Sequence, residues 1–467
     1  MAIDAALSAM DGAISSGGIV RDLEVRRACS RDESEAEPVV PEAVVRVRST
    51  AEVSAVLAAC HAHGVAVTPR AGGSGRVGGA IPVPGGIVLA LEGLDQIDAI
   101  ERDDLRATVG AGVGLHRIHD AVEAEGLFYP PDPNSVGSCL IGGNIAANAG
   151  GPRAFKYGVT RNWVLGMEVV TADGTVMQVG RPTAKGVTGY DLASLIVGSE
   201  GTLAVVTRAT LRLIPRPEAI GTLLVFLPDQ ATLGAAITEA LRRRVMPRCL
   251  EFLDALALDI LRPQAGLAVP GEAGAMLLVE VDGDAAEIEQ RVEDCGGAML
   301  DAGAIEVLVA KNNAERERLW AARREMSHSM RRQAKNKLAE DVVVARTRIG
   351  ELLDRCRRLS DTHGVRMPSY GHAGDGNLHV NFLWDDPDQR RGVDAAIRGL
   401  FEDVVDMGGT LSGEHGIGIL KAPYLPIEQS PALIALQERI KDAFDPRGIL
   451  NPGKIFPATA KRFHGAC

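Results

Sequence analysis

The N-terminal part of the chain alternates apolar runs with segments of helical periodicity. Residues 39–48 are extended in character, and residues 50–64 have a helical pattern, with Thr50 as the expected N-cap and Gly64 as the stop. Short connections between such elements predict an α/β domain. The further elements that the pattern predicts here are strands at 65–68, 86–91 and 107–113 and a helix at 115–125.

The pattern changes after Leu213, where Pro215 and Pro217 interrupt it and indicate a domain boundary. Alternating strands and helices resume from residue 222 and predict a second, α+β domain. A helix, a D-P-x-G stop and an N-P-G turn follow within residues 433–456. The elements predicted for the second domain are strands at 222–227 and 275–283 and helices at 230–244 and 284–293.

Composition and charge narrow the possible partners. The net charge of −11, from 50 Lys and Arg against 61 Asp and Glu, argues against binding to nucleic acid or to an anionic membrane surface. The N-terminus lacks the basic region of a signal peptide, and the longest uncharged stretch, residues 133–152, has too many Gly, Asn and Pro residues for a transmembrane helix. The seven Cys residues form no C-x-x-C pair, which favours free thiols in a reducing compartment. We therefore expect a cytoplasmic protein, or one peripheral to the inner face of the membrane.

A glycine-rich loop follows the predicted strand at 65–68. Gly73, Gly75 and Gly78 have the G-x-G-x-x-G spacing that binds pyrophosphate in doubly wound folds. That mechanism needs a helix to begin at the loop, and Pro82 with Pro84 prevents one. The loop is therefore either a glycine nest that binds an anion through its N–H groups or a glycine-rich surface turn.

Two later segments add uncharged polar groups to this picture. Residues 130–158 combine glycines, which permit close approach of a backbone, with neutral Asn and Ser side chains. A channel that is polar, uncharged and lined by glycines would suit an elongated nucleotide. The third segment, residues 189–213, contains S-E-G-T-L, a tight turn, before an alternating strand.

Three motifs thus stand in order: P-R-x-G-G-S-G-x-x-G-G, then P-D-P-x-S-x-x-S-x-x-I-G-G-N-I-A-x-N-A-G-G-P-R-x-x-K-Y-G, then Y-D-L-x-x-L-x-x-G-S-E-G-T-L. They resemble the FAD domain of the vanillyl-alcohol-oxidase-type flavoproteins. Within that superfamily the chain is similar, from about residue 38 to 457, to the D-2-hydroxyacid dehydrogenase branch, which includes D-lactate dehydrogenase, the glycolate oxidase flavoprotein subunit and D-2-hydroxyglutarate dehydrogenase.

The resemblance implies an α+β fold in which a two-part FAD-binding domain of this type is joined to an α+β cap domain with an antiparallel sheet. Residues 1–215 would form the FAD-binding domain, made of two α/β subdomains. Residues 216–430 would form the cap with the substrate and metal site. Residues 431–467 would form a C-terminal helix and tail that return to the FAD domain.

For the cofactor, the resemblance implies FAD bound around its pyrophosphate by the first two motifs, with Gly201 and Val206 near the adenine end. Non-covalent FAD is expected because the first loop has no His. A covalent link through Cys139, which stands where Thr or Ser is expected, is the alternative. The candidate cofactor-binding residues are Pro69, Arg70, Ala71, Gly72, Gly73, Ser74, Gly75, Gly79, Pro131, Asp132, Ser135, Ser138, Gly142, Gly143, Asn144, Ala146, Gly201, Val206 and Asn451.

The densest group of reactive side chains lies in residues 369–384. From Asn377 onward polar and apolar residues alternate, so Asn377, His379 and Asn381 share one face of a predicted strand. The preceding A-G-D-G segment can reverse the chain and return His372 to His379. On the residues alone, the two imidazoles are either a hydrogen-bonded pair or two metal ligands.

A second segment, G-G-T-L-S-G-E-H-G, places Glu414 and His415 between glycines. Two His and one Glu make an open three-ligand site, and this donor set favours zinc over magnesium. The resemblance implies that His372, His379 and Glu414 bind a divalent metal and that His415 acts on the substrate hydroxyl.

The carboxylate of a 2-hydroxy acid needs a cation, and an arginine can grip it with two N–H groups. Arg323 stands at the position that resembles the family's carboxylate-binding arginine; without the resemblance, a solvated helix face describes it equally well. Ser327, Lys337 and Asn381 are the further candidate substrate-binding residues.

Together with these features, the resemblance implies the FAD-dependent oxidation of a D-2-hydroxy acid (D-lactate, glycolate or D-2-hydroxyglutarate) to the 2-oxo acid, with metal-assisted proton abstraction and hydride transfer to flavin N5. A protein or a quinone is the expected electron acceptor because the Cys residues form no iron–sulfur cluster motif. A homodimer is compatible with the sequence. The alternatives are a flavin-carrying electron-transfer subunit without its own substrate chemistry, and a nucleotide-binding regulator whose FAD no hydroxy acid reduces.

Overall fold

The structure is a computed structural model that describes residues 2–263 and 269–457. The described chain divides into two compact units. Residues 2–150, 159–216 and 414–457 form the first unit, and residues 151–158 and 217–413 form the second. Residues 458–467 of the predicted tail lie outside the described residues.

The helices occupy the following ranges: α1 (Ala2–Met10), α2 (Leu23–Ala28), α3 (Thr50–His63), α4 (Leu115–Ala124), α5 (Ile141–Ala147), α6 (Ala154–Tyr157), α7 (Leu192–Ile196), α8 (Gln230–Arg242), α9 (Ala255–Leu261), α10 (Ile288–Asp301), α11 (Asn313–Arg324), α12 (Met326–Arg331), α13 (Ile349–His363), α14 (Arg390–Asp406), α15 (Leu425–Glu428) and α16 (Pro431–Phe444).

The strands occupy the following ranges: β1 (Ile19–Val20), β2 (Ala43–Arg46), β3 (Val67–Arg70), β4 (Ile87–Ala90), β5 (Ile97–Glu101), β6 (Arg106–Gly110), β7 (Leu127–Phe128), β8 (Val164–Val170), β9 (Val176–Gly180), β10 (Val205–Arg212), β11 (Ile214–Pro215), β12 (Ala219–Leu227), β13 (Cys249–Leu253), β14 (Ala275–Gly283), β15 (Glu306–Val309), β16 (Asn336–Val343), β17 (Ser369–His372) and β18 (Asn377–Trp384).

The first unit contains two main sheets. One has the order β1-β2-β4-β3, in which β2, β4 and β3 run parallel, and α3 connects β2 to β3. The buried side chains of α3, which include Val53, Val56, Leu57 and Cys60, give it the apolar face that such a crossover helix needs. The other sheet, β5-β6-β10-β8-β9, is antiparallel throughout.

The second unit contains a seven-stranded sheet in the order β15-β12-β14-β13-β17-β18-β16, and each pairing in it is antiparallel. One face carries an apolar cluster that includes Leu253 and Tyr370 of the sheet and Trp320 and Met330 of the helices against it. Polar residues of the central strands continue the same face, because residues that pair directly across antiparallel strands point to the same side. This polar region carries the candidate site.

Three predicted details differ from the structure. The N-cap of α3 is Ser49, whose hydroxyl accepts the Glu52 N–H at 3.3 Å, so Thr50 is the first helical residue and the prediction of Thr50 as N-cap is wrong. The helix predicted at 284–293 begins at Ile288 and continues to Asp301, because residues 284–287 form a turn and the helix accommodates two glycines. The strand predicted at 107–113 begins at Arg106 and ends at Gly110, and it lies in the antiparallel sheet.

Candidate active site

A hairpin in the second unit brings two predicted metal ligands together. Strands β17 and β18 pair so that Tyr370 lies opposite His379 and His372 lies opposite Asn377. The four-residue turn between them closes with a hydrogen bond of 3.1 Å from the Gly376 N–H to the His372 carbonyl oxygen. Both imidazoles are buried, and their ring centroids lie 5.3 Å apart in an edge-to-face arrangement. The A-G-D-G segment therefore reverses the chain as the sequence predicts.

Glycines make this turn possible. Gly376 has φ of 83°, and a Cβ there would collide with the carbonyl oxygen of Val344. A Cβ on Gly374 would collide with the ring of Phe155, which belongs to the same unit. The hairpin is thus packed too closely on both sides to accept a side chain at either position.

The third predicted ligand, Glu414, follows a loop that the second unit holds in place. The Ser412 hydroxyl donates to Asp341 Oδ1 at 3.1 Å, and the Gly413 N–H donates to Asp341 Oδ2 at 2.8 Å. Asp341 lies on β16 directly opposite His379. Donor atoms of His372, His379 and Glu414 all lie within 4.8 Å of one another. Two imidazoles and one carboxylate at this spacing fit a divalent metal of the zinc type.

Arg323 lies in the last turn of α11, and its side chain is 4% exposed, which excludes a solvated helix face. Its guanidinium makes an ion pair of 2.6 Å with Glu251 and lies 4.7 Å from the ring centroid of Tyr370. The other carboxylate oxygen of Glu251 lies 2.5 Å from His372 Nδ1. A buried carboxylate therefore joins Arg323 to a predicted metal ligand.

The remaining predicted substrate residues lie on neighbouring elements. Lys337 on β16 donates from Nζ to the Ser327 hydroxyl at 3.1 Å and shares the sheet face of Asp341. Asn381 is fully buried on β18; its amide N–H groups donate to the carbonyl oxygens of Pro368 and His379. Its Oδ1 atom has no hydrogen-bond partner among the described residues.

The candidate cofactor residues come together in the first unit. A Cβ on Gly72 would lie 2.5 Å from the Ser138 carbonyl oxygen, and one on Gly143 would lie 3.3 Å from the Ala71 side chain, so the first and second loops touch. On the third loop, Gly201 is closest to Pro69. The remaining candidates lie on these loops and the adjoining elements: Arg70, Gly73, Ser74, Gly75, Gly79, Pro131, Asp132, Ser135, Gly142, Asn144, Ala146 and Val206.

Asn451 links the later part of the chain to two of these loops. Its amide donates to the Gly79 carbonyl oxygen at 3.0 Å and to the Glu200 carbonyl oxygen at 2.7 Å. Gly75 has the room that a cofactor cradle needs, because the nearest heavy atom to a Cβ there would be Asp32 Oδ2 at 3.8 Å. Backbone N–H groups in an open glycine loop fit the pyrophosphate of FAD.

Residues 414–418 lie between the second and third of these loops, within the same unit. A Cβ on Gly150 would lie 2.8 Å from a carboxylate oxygen of Glu414, and one on Gly416 would lie 2.8 Å from Glu200 Oε1. Glu200 in turn accepts hydrogen bonds from the N–H groups of Ile417 and Gly418, at 2.7 and 2.8 Å. The His415 ring is partly exposed, and its Nε2 lies 4.0 Å from Glu414 Oε1.

Glu251, Asp341 and Glu200 are site residues that the sequence did not single out. Each carboxylate contacts a residue far from it in the chain: Glu251 contacts His372, Asp341 contacts Gly413, and Glu200 contacts Ile417. The sequence contains one signal for such a residue, which is an acidic side chain inside an apolar strand, as Glu251 is in C-L-E-F-L. A charge buried in such a strand needs a partner.

Comparison with known proteins decides the family. Residues 216–455 match the family described as FAD linked oxidases, C-terminal domain, and residues 41–180 match the FAD binding domain. The chain belongs to the FAD-linked oxidases. This confirms the predicted kind of enzyme, a flavin-dependent oxidoreductase, and the predicted cofactor class.

Relatives span most of this oxidase. It is 39% identical to the glycolate oxidase subunit of Bacillus subtilis, over 91% of this chain and 90% of the relative. It is 35% identical to a D-lactate dehydrogenase of Anaerostipes hadrus, over 89% of each chain. It is 31% identical to a D-2-hydroxyglutarate dehydrogenase of Stutzerimonas stutzeri, over 95% of this chain and 97% of the relative. These names confirm the predicted branch of the family.

Solved structures confirm the predicted fold class. p-Cresol methylhydroxylase superposes with a TM-score of 0.80 at 15% identity, over 97% of this oxidase and 96% of that chain. The 4-ethylphenol oxidase of Gulosibacter chungangensis superposes with a TM-score of 0.78 at 20% identity, over 98% of each chain. Within residues 2–263 and 269–457, no helix has both the length and the apolar character needed to cross a bilayer.

Proposed function

We propose that this FAD-linked oxidase oxidises a D-2-hydroxy acid to the 2-oxo acid at a metal-assisted site. The observation that carries the proposal is the cluster of His372, His379 and Glu414, whose donor atoms lie within 4.8 Å of one another. Relatives named D-lactate dehydrogenase, glycolate oxidase subunit and D-2-hydroxyglutarate dehydrogenase support this substrate class.

In the proposed reaction, bound FAD supplies a hydride acceptor, and a bound divalent metal, for which zinc suits the donors, supplies Lewis acidity at the substrate hydroxyl. His372, His379 and Glu414 are the residues that would hold the metal. Three protein ligands leave a coordination position open for substrate.

The proton of the substrate hydroxyl is assigned to His415. This imidazole is next to Glu414 in sequence, and its Nε2 atom lies 4.0 Å from Glu414 Oε1. A neutral imidazole is a general base of suitable strength near neutral pH. We therefore assign proton acceptance to His415 and metal binding to Glu414.

The substrate carboxylate is assigned to the cation of Arg323. Its Nε atom is buried and has no hydrogen-bond partner among the described residues, so a donor is available to a ligand. Lys337, which donates to the Ser327 hydroxyl and shares the sheet face of Asp341, is a second cation, and the Oδ1 atom of Asn381 is an acceptor without a described partner.

The FAD is proposed to be non-covalent. Cys139 is 1% exposed, and burial raises the pKa of its thiol above the usual value. A buried thiol of raised pKa is a poor nucleophile for a flavin linkage. We further propose that the reduced flavin passes its electrons to another protein or to a quinone.

Anaerobic mixing of the protein with D-lactate, glycolate, malate and D-2-hydroxyglutarate tests the proposal. We expect the flavin absorbance to bleach with at least one D-2-hydroxy acid and not with its L enantiomer where one exists. Dialysis against a chelator should slow the bleaching, and added zinc should restore it. Bound flavin that none of these acids reduces would contradict the proposal and favour an electron-transfer subunit or a regulator. Rapid reduction that chelation leaves unchanged would contradict the metal site alone.

A further inference from the structure

Glu251 is the buried carboxylate that joins two candidate site residues of the second unit. Its side chain is 0% exposed. Oε1 lies 2.5 Å from His372 Nδ1, and Oε2 lies 2.6 Å from the guanidinium of Arg323. The two partners are almost completely buried as well. One carboxylate thus reaches both a candidate metal ligand and the candidate substrate cation.

We propose that Glu251 is a positioning residue, which holds His372 in the tautomer that binds metal and fixes Arg323 beside it. This inference rests on the proposed metal site and deepens it. A neutral imidazole has one N–H, and an acceptor at Nδ1 places that hydrogen on Nδ1 and leaves the Nε2 lone pair for a metal.

The charges in this group support the assignment. A lone carboxylate would be costly to bury, and so would the guanidinium of Arg323, and pairing the two reduces both costs. Tyr370 covers one side of the guanidinium, and Glu251 holds its edge, so the cation has a fixed direction.

The sheet register explains why this residue can serve both partners. Glu251 lies on β13 directly opposite His372 of β17, so its side chain starts beside the imidazole on the same face. Arg323 approaches from α11, and its helix packs on that face through Trp320.

Zinc affinity of the full-length FAD-loaded protein is the test, with Glu251→Gln and Glu251→Asp as variants. Each protein is stripped with a chelator and titrated with zinc against a fluorescent zinc indicator. We expect affinity to fall about 10- to 100-fold in Glu251→Gln, as for other residues that orient a metal-bound imidazole. Glu251→Asp keeps the charge and should recover part of the loss. The visible spectrum of the cobalt-substituted protein should change in Glu251→Gln, because the geometry of the His372 ligand changes.

Glu280→Gln is the matched control. Glu280 is also a buried carboxylate of the same sheet, paired with Arg316 and Trp320, and it lies outside the ligand cluster. Both substitutions remove a buried charge, so they should destabilise the fold similarly, but Glu280→Gln should leave zinc affinity and the cobalt spectrum unchanged.

Three outcomes would overturn the inference, in distinguishable ways. If the wild-type protein binds zinc and both Glu251 variants bind it equally well, Glu251 does not position the ligand, and the proposed function stands. If the wild-type protein binds no stoichiometric zinc, the metal site fails and this inference fails with it. A loss of affinity as large in Glu280→Gln as in Glu251→Gln would also overturn it, since the effect would then be one of fold stability.

Discussion

The backbone N–H of Gly413 donates a hydrogen bond of 2.8 Å to Asp341 Oδ2, and Asp341 lies directly across the sheet from His379. The Asp341 carboxylate on β16 therefore holds Gly413, the residue before Glu414, close to the strand that carries His379. The position of Glu414 depends on this loop, because a metal ligand must be held to within a fraction of an ångström.

Substitution of Asp341 by Ala should release the loop that leads to Glu414. We expect zinc affinity to fall about 10- to 100-fold, the usual cost when the support of a ligand is lost, while the FAD content remains. Ser412→Ala, which removes the hydrogen bond from the Ser412 hydroxyl but keeps the one from the Gly413 N–H, should have a smaller effect. Metal analysis after chelation and reloading measures both. Wild-type zinc affinity in a folded Asp341→Ala protein would show that the loop holds Glu414 without it.

Substitution of His415 by Gln should slow the reduction of the flavin by substrate without changing how much FAD or zinc is bound. We expect the rate of flavin reduction by the preferred hydroxy acid to fall by about 10²- to 10⁴-fold, the range for loss of a general base. FAD and zinc contents should be unchanged, because neither is assigned to this side chain. His63→Gln, at the exposed end of α3, is the control and should leave the rate unchanged. Stopped-flow absorbance measures the rate, and a normal rate in His415→Gln would remove it from the mechanism.

The sequence predicts the local parts of this site well. The alternation from Asn377 and the A-G-D-G turn are properties of neighbouring residues, and the hairpin of β17 and β18 follows from them. The glycine loops are also predicted from neighbouring residues, because clustered glycines permit the close approach of another backbone. The hairpin and the glycine loops can therefore be predicted from the local sequence.

The supporting carboxylates could not be predicted in this way. Glu251 meets His372 across 121 residues of sequence, and Asp341 meets Gly413 across 72. Such partners are fixed by strand order and register, which depend on the packing of the whole sheet. Arg323 illustrates the difference, because its pattern fits a solvated helix equally well until Glu251 and Tyr370 are placed beside it.

Gly75 provides a test of the cofactor loop. An added methyl group has room in the protein itself, because Asp32 Oδ2 at 3.8 Å would be its nearest neighbour, and the backbone does not need glycine there. Gly75→Ala should therefore leave the melting temperature of the FAD-free protein unchanged and weaken FAD by about tenfold, or ~1.4 kcal/mol. Flavin fluorescence titration measures the affinity.

Gly72→Ala is the informative comparison, because its Cβ would lie 2.5 Å from the Ser138 carbonyl oxygen. This variant should lose stability as well as FAD. If Gly75→Ala binds FAD as tightly as the wild type, the first loop does not cradle the pyrophosphate.

Asp282 holds residues 151–158 against the rest of the second unit. It is fully buried; Lys156 and Arg248 form ion pairs with it, and the Tyr157 hydroxyl donates to it at 2.7 Å. Asp282→Asn should lower the free energy of unfolding by about 3–5 kcal/mol, because it removes the charge of one partner from the fully buried ion pair with Arg248. Glu287→Gln, which breaks the exposed pair with Arg291, should cost about 0–1 kcal/mol. Urea denaturation compares them, and an equally small loss in Asp282→Asn would contradict the anchoring role.

Lys454 makes the stability of the first unit depend on pH. Burial lowers the pKa of its amine to about 7, although Asp32 and Glu200 act in the opposite direction, and Nζ donates to the Ile81 carbonyl oxygen at 2.6 Å. Because the folded pKa lies below that of the unfolded chain, the unfolded state binds more protons between about pH 7 and pH 10.5. The Lys454 contribution to stability should therefore rise with pH in this interval, by at most about 1.4 kcal/mol per pH unit.

Lys454→Met cannot titrate, so the difference in unfolding free energy between wild type and variant should grow in favour of the wild type from pH 7 to pH 9. Denaturation at both pH values measures it, and a difference that is constant with pH would mean that Lys454 is charged in the folded protein throughout.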